Sequence, residues 1–325
     1  MELFVMTAGF MLAAYAIVAN DAIQTLGTFL SSNRDRPWWI LWLYAAGILS
    51  VVLVVGWWSH DGDVSYGRLT TINRPPVLTW VYLLPPLVLL ALTRWGMPVS
   101  TTFLILTAFS PKSLESMISK SLVGYALAFV VAVAVYWLIA QTIEKRLIDT
   151  RHDPPSRVWT ALQWMSTGFL WAQWLVQDLA NIYVYLPRPL GAGLMLTSLA
   201  LMIALHGWIF YRAGGPIQKI VTSKINTGDI RAATIIDFMF GLLLLWFSTV
   251  SKIPMSTTWV FLGLLGGREL ALTLRLRLDE PAAAGRLIAW DVGKAAAGLV
   301  VSVALALVLP QLAELASVST AYAAP

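Results

Sequence analysis

The amino-acid sequence predicts an all-α polytopic membrane protein: two inverted-topology repeats whose broken or re-entrant half-helices meet at the midplane of the bilayer. Three observations predict it. The composition suits lipid, two motifs recur at matched spacing, and the basic residues fall mostly on one side if the halves are inverted.

Apolar residues make up 58% of the 325 positions and charged residues 12%, about half the roughly 25% of an average soluble domain. Apolar runs fall near 39 to 58, 77 to 92, 121 to 140, 194 to 205, 235 to 247 and 295 to 309. Several of them approach or reach the length that crosses ~30 Å of hydrocarbon. Trp38, Trp39, Trp57, Trp58, Trp95 and Trp159 lie near run ends, where an amphipathic ring suits the headgroup layer. Trp164, Trp171 and Trp174 read as packing residues. The net charge of +5 is scattered over short loops, which argues against a nucleic-acid partner. No cysteine is present, so disulfides, thiolate metal sites and cysteine nucleophiles are excluded. The stretch MELFVMTAGFMLAAYAIVAND begins with an acid and lacks the basic start of a secretory signal; it reads as the first span.

The repeat rests on two pairs of motifs. ANDAIQTLGT from Ala19 aligns with VQDLANIYVY from Val176, placing Asn20 with Gln177, Asp21 with Asp178 and Gln24 with Asn181. PVSTT, from Pro98 to Thr102, recurs as PMSTT, from Pro254 to Thr258. The acid-to-proline separation is 77 residues in the first half and 76 in the second, so the motifs keep their register. A weaker pair, KSLVG from Lys120 and KAAAG from Lys294, opens the last apolar run of each half.

The predicted elements of the first half are spans near 3 to 31, 37 to 58 and 77 to 95, a half-helix near 97 to 107, and a span near 118 to 141. Residues 1–141 thus form one repeat, 142–157 a cytoplasmic connecting loop and 158–325 the second repeat, all in one integrated domain. The polar stretch from Pro216 to Asp229 is expected to lie along the inner surface or to cap the pathway. An odd number of crossings per half inverts the second half. The inner side then holds fifteen basic residues, Lys224 and Arg268 among them, against Arg68, Arg74, Lys112, Arg188 and Lys252 outside. This satisfies the positive-inside rule and puts both termini outside, in what reads as a bacterial inner membrane.

Charged groups inside spans carry the chemistry. Asp21, Lys120, Asp178, Asp237, Asp291 and Lys294 each cost roughly 2.5 to 3.5 kcal/mol on an insertion scale, so they must be paired, hydrated or ligated. Asp291 and Lys294 stand one turn apart and read equally as an ion pair. Asp237 aligns with the apolar Trp80 and falls outside the repeat. Asp21 and Asp178 each sit between amides, an oxygen-rich setting for sodium or for a proton. In PVSTT and PMSTT the proline fits a first helical turn, and the hydroxyls behind it flank free N–H groups at the positive end of the helix dipole. Two such helix starts facing each other would cradle one oxyanion. His206 reads as a packed residue, and the pairs Gly214-Gly215 and Gly266-Gly267 as loop or helix-end punctuation. No nucleotide loop, metal-spaced histidines or nucleophile elbow gives an enzyme a foothold.

In these motifs the chain resembles the inorganic phosphate transporter family, of the phosphate and sulfate permease type, over nearly its full length and as a divergent member. The family's halves each carry a G-A-N-D-V-A-N-like and a P-V-S-T-T-H-like motif. The resemblance implies that Asn20, Asp21, Gln24, Gln177, Asp178 and Asn181 hold the coupling ion, with Asp21 and Asp178 as metal ligands if it is sodium. It implies that Ser100, Thr101, Thr102, Ser256, Thr257 and Thr258 hold the anion. Gln24 and Gln177 replace the usual Asn, and Phe103 and Trp259 replace the usual His. Lys120 and Lys294 are expected either to supply compensating positive charge beside the acids or the anion, or to form interhelical salt bridges.

The expected function is therefore secondary active transport of a small inorganic oxyanion by alternating access, coupled to sodium or protons. Phosphate leads, followed by sulfate or bicarbonate; a non-transporting membrane scaffold or sensor is the alternative. No cofactor is expected beyond sodium ions. The expected partners are the anion and the lipid bilayer, with a homodimer as the one protein partner allowed for.

Overall fold

A computed structural model describes residues 2–215, 217–223, 227–250, 254–277 and 281–322; Lys224 and Lys252 of the charge count lie outside the described residues. Helix α1, Glu2–Ser32, is interrupted by a π turn over Val18–Ala22 that carries Asn20 and Asp21. Such a turn inserts one extra residue into the helical ladder and re-aims the side chains on it. Asn33 ends the helix, and Pro37 precedes α2, Trp38–Ser59. The span expected at 77 to 95 is helical only over α3, Trp80–Arg94, about 22 Å long and short of a full crossing. Non-helical residues 95–100 lead into α4, the π turn Thr102–Leu106 with Thr107–Phe109, where the half-helix is expected. Helix α5, Pro111–Asp149, runs past the expected boundary at 141 through a second π turn at Ala140–Glu144. Only residues 150–156 remain as connector.

The second half contains α6, Arg157–Tyr183; α7, Ala192–Tyr211; a short α8, Gln218–Thr222; α9, Ile230–Val250; α10, Thr257–Leu276; and α11, Pro281–Tyr322. Among the described residues, six helices are long and apolar enough to cross a membrane, and no strand occurs. The chain is an integral membrane protein. Helix α6 spans 27 residues but is more polar, because it buries Gln163, Thr167, Gln177, Asp178 and Asn181 inside the bundle.

Helices α1 and α6 run antiparallel. At one end Asn33 Nδ2 donates to Gln163 Oε1 at 3.1 Å; at the other the rings of Phe10 and Tyr183 meet edge-on at 5.4 Å. Helix α1 packs on α3 and α6 on α9, whereas α5 lies along α10 and α11 against α4. The last helix of each half therefore covers the helix that starts at the other half's S-T-T motif.

The α5–α10 contact is close because α10 presents glycine every fourth residue. A Cβ on Gly263 would strike the Tyr125 carbonyl, and one on Gly267 the Phe129 carbonyl, so small residues let the backbones approach. Gly266 and Gly267 thus lie inside α10 and do not punctuate it, whereas Gly214 and Gly215 have positive φ in a loop. One further tie was not expected: Arg268, counted as an inner-surface residue, is fully buried. It pairs with the equally buried Glu144 at 3.4 Å and lies over the Tyr136 ring at 5.1 Å. His206 packs as expected, its Nδ1 2.7 Å from the Met202 carbonyl and its ring against Trp171. Trp171 stacks on Trp174 at 4.9 Å.

Candidate functional site

The two hydroxyl clusters start α4 and α10. Ser256 caps α10 by accepting from Trp259 N at 3.3 Å, and Ser100 accepts from Phe103 N at 3.2 Å in the same way. The serines thereby occupy the third N–H of each start. The first two N–H groups of each turn, on Thr101, Thr102, Thr257 and Thr258, have no intrahelical acceptor. All six residues are at most 3% exposed.

The clusters interlock. Thr102 Oγ1 donates to the Met255 carbonyl at 3.1 Å, and Thr258 Oγ1 donates to the Val99 carbonyl at 3.3 Å. Each threonine reaches the residue just before the other cluster's serine. Each acid is tied to the hydroxyl cluster of its own half. Asp21 Oδ2 accepts from Thr101 Oγ1 at 2.5 Å, and Asp178 Oδ2 accepts from Thr257 Oγ1 at 2.7 Å. Oδ1 of each acid accepts from an amide: Asn20 Nδ2 at 2.7 Å for Asp21, and Asn181 Nδ2 at 2.8 Å for Asp178.

Of the amides, Asn181 bridges the halves, whereas Asn20 stays within its own. Asn181 Nδ2 lies within 2.9 Å of Thr101 Oγ1 and 3.2 Å of Thr102 Oγ1, and Asn20 Nδ2 donates to the Val99 carbonyl at 2.7 Å. Gln24 reaches Asn20 and Asp21 only at 3.4 and 3.5 Å, and Gln177 turns away to donate to the Leu244 carbonyl at 2.9 Å. Gln177 thus leaves the cluster that its partner Asn20 joins. Asn181 Oδ1 is buried and accepts from no group among the described residues. With the carboxylate oxygens it makes a hard-oxygen set suited to sodium or to a proton.

The structure brings ten of the twelve motif residues into one knot, with Gln24 at its edge and Gln177 outside. It does not bring Lys294 there. That side chain lies over the Trp290 ring at 5.3 Å, in a surface hollow shared with Arg94, Lys219 and Asp291. Lys120 is half-buried and lies within electrostatic reach of Arg68, a residue the sequence assigned to an outer loop. Arg68 is 1% exposed, and its Nε donates to the Val176 carbonyl at 2.9 Å, two residues before Asp178. Burial pulls its pKa down to about 10, while Asp178 opposes that shift; Arg68 therefore remains a cation at neutral pH.

Asp237, outside the repeat in sequence, sits in a second buried cluster. Its Oδ1 accepts from Thr28 Oγ1 and its Oδ2 from Thr167 Oγ1, both at 2.5 Å. Gln163 Nε2 donates to Thr167 Oγ1 at 3.0 Å, and Asn33 Nδ2 donates to Gln163 Oε1, so a polar file runs from the end of α1 inward. A hollow of about 400 Å³ opens near Ala19, next to Asn20, with Arg94 and Arg212 on its wall. The polar stretch after α7 closes over α1: Gln218 Nε2 donates to the Gly27 carbonyl at 2.8 Å and to Ser31 Oγ at 2.7 Å. Residues 216 and 224–226 of that stretch lie outside the described residues.

No protein-family model matches the chain, and no curated protein does. A solved structure described as "The sodium-dependent phosphate transporter" is similar, with a TM-score of 0.63 over 95% of this chain and 98% of that one, at 15% identity. The two share a fold.

Proposed function

We propose that the chain is a secondary transporter of a small inorganic oxyanion, phosphate first, coupled to a cation and working by alternating access between its two halves. The observation that carries the reading is the reciprocal pair of bonds from Thr102 to Met255 and from Thr258 to Val99. It holds two hydroxyl-rich helix starts together, so their unpaired N–H groups and dipole ends converge on one place, the chemistry an oxyanion needs. The antiparallel course of α1 and α6 and the exchanged packing of α5 and α11 support inverted repeats. The likeness in fold to a sodium-dependent phosphate transporter favours phosphate over sulfate or bicarbonate.

Cation coupling follows from charge. Asp21 and Asp178 lie within electrostatic reach of each other, and Arg68 supplies one positive charge against the two carboxylates. A mobile cation, sodium or a proton, restores balance when both acids ionise in a site closed to water. In this reading the hollow walled by Arg94 and Arg212 is the path from the basic, inner face, the Glu2 end of α1 is outside, and the membrane is a bacterial inner membrane.

Uptake of radiolabelled phosphate, sulfate and bicarbonate into proteoliposomes tests the reading, with sodium present or replaced by choline. Ser100→Ala and Ser256→Ala should each weaken anion affinity, and Asp21→Asn should abolish or uncouple transport. Normal transport by all three variants would show the site to be misplaced. Absence of uptake for every anion would leave a membrane scaffold or sensor in its stead.

A further inference from the structure

The segment between α2 and α3 is built to deliver one side chain into the bundle. Asp63 Oδ1 accepts from Ser65 N and Ser65 Oγ at 2.8 and 2.5 Å, and its Oδ2 accepts from Gly67 N at 2.8 Å. Ser65 Oγ in turn accepts from Leu69 N at 3.2 Å. Arg188, from the loop after α6, donates through Nη1 to the Leu69 and Ile72 carbonyls, both at 2.7 Å. The turn fixed by these bonds begins at Arg68, whose side chain enters the protein.

That guanidinium is under-used by its surroundings. Nε has the Val176 carbonyl, but Nη1 is buried with no hydrogen-bond partner among the described residues. Asp178 is near enough to interact electrostatically, yet no direct ion pair joins them among the described residues. The half-buried Lys120 is also within electrostatic reach of it. A buried, unsatisfied charged donor is costly unless a ligand completes it. The sequence offers a parallel: Lys224 stands 156 residues after Arg68, the same offset that relates Pro98 to Pro254.

We propose that Arg68 is a substrate-binding residue outside both duplicated motifs, its guanidinium supplying the fixed positive charge at the anion site from the 60–79 side of the protein. The ligand is an oxyanion able to take a charged N–H donor in addition to hydroxyls and backbone N–H groups, with a dianion favoured over a monoanion. The proposal rests on the transporter reading and is testable apart from it.

The experiment uses purified full-length protein as wild type, Arg68→Lys and Arg68→Gln, each checked for monodispersity. Binding of inorganic phosphate is measured by calorimetry and uptake in proteoliposomes, both below and above the second ionisation of phosphate. The expected result is that Arg68→Gln weakens phosphate binding and raises KM by about tenfold or more, the effect of losing one charge-assisted hydrogen bond. The loss should be larger for the dianion, and Arg68→Lys should recover part of it. Wild-type KM in Arg68→Gln, or equal losses for both ionic forms in both variants, would overturn the proposal and leave Arg68 as a pin for Val176. Phosphate binding that depends on Arg68 without any uptake would sink the transporter reading and keep the assignment. A wild type that neither binds nor carries phosphate would sink both.

Discussion

The two threonines that cross between the hydroxyl clusters are not equivalent, and the difference can be measured. Replacing Thr258 with Val removes a donor to the Val99 carbonyl, but that carbonyl keeps Asn20 Nδ2 at 2.7 Å. The cost is that of one ordinary hydrogen bond, about 0.5 to 1.5 kcal/mol. Replacing Thr102 with Val removes the sole donor to the Met255 carbonyl among the described residues and also an acceptor for Asn181 Nδ2. Asn181 retains Asp178 and Thr101, so the added penalty falls on the buried carbonyl, at about 1 to 3 kcal/mol. Thermal unfolding of each variant in detergent, at matched protein and lipid content, should rank wild type above Thr258→Val and Thr258→Val above Thr102→Val. Roughly 2 to 4 °C is expected per kcal/mol for a chain of this order of size. Thr258→Val destabilising as much as Thr102→Val would refute this description of the knot.

Three further outcomes follow from the packing. Gly263→Ala and Gly267→Ala should each lower thermal stability by about 1 to 3 kcal/mol, because their new methyls meet backbone carbonyls of α5. Gly266→Ala is the control, since its Cβ makes only ordinary contacts near Ile288 and Phe129. Arg268→Met leaves Glu144 buried without its partner and should cost about 3 to 5 kcal/mol, and the double variant with Glu144→Leu should recover most of that in the same melt. Arg188→Gln removes both bonds to the Leu69 and Ile72 carbonyls; limited proteolysis should then cut the 60–79 loop faster than in wild type, and unchanged cleavage would mean Arg188 does not hold it.

What the sequence made legible depended on how far apart the relevant residues stand along the chain. Helix starts, the break before Ser100 and Ser256, and the amide–acid spacing are local patterns of a few residues, and duplication at matched separation made them stand out. The half-helix at 101–109 lay within a few residues of its expected position for that reason. The expected crossing at 77 to 95 came out short because hydropathy counts apolar residues without registering where Thr79 and Trp95 bound the helix. The π turns at Asp21 and Thr102 leave no compositional trace, and the second half forms the equivalent segments as ordinary α-helix.

Charge was the least legible property, since a basic residue in a loop segment reads as exposed by default. Arg68 and Arg268 were both assigned to membrane surfaces, and both are fully enclosed. Each is held inside by partners far away in sequence, Val176 and Glu144, that no window along the chain could pair with it. Lys294 shows the converse error, because repetition of Lys120 in the sequence did not give the two lysines equivalent surroundings. A repeat fixes backbone register, and a side chain's electrostatic role depends on what the opposite half brings to it. The pseudo-symmetric knot therefore keeps its hydroxyls and acids in matched pairs. Among the described residues its fixed guanidinium comes from the first half alone, and that inequality leaves Asp178 beside a fixed cation and Asp21 facing the opposite acid.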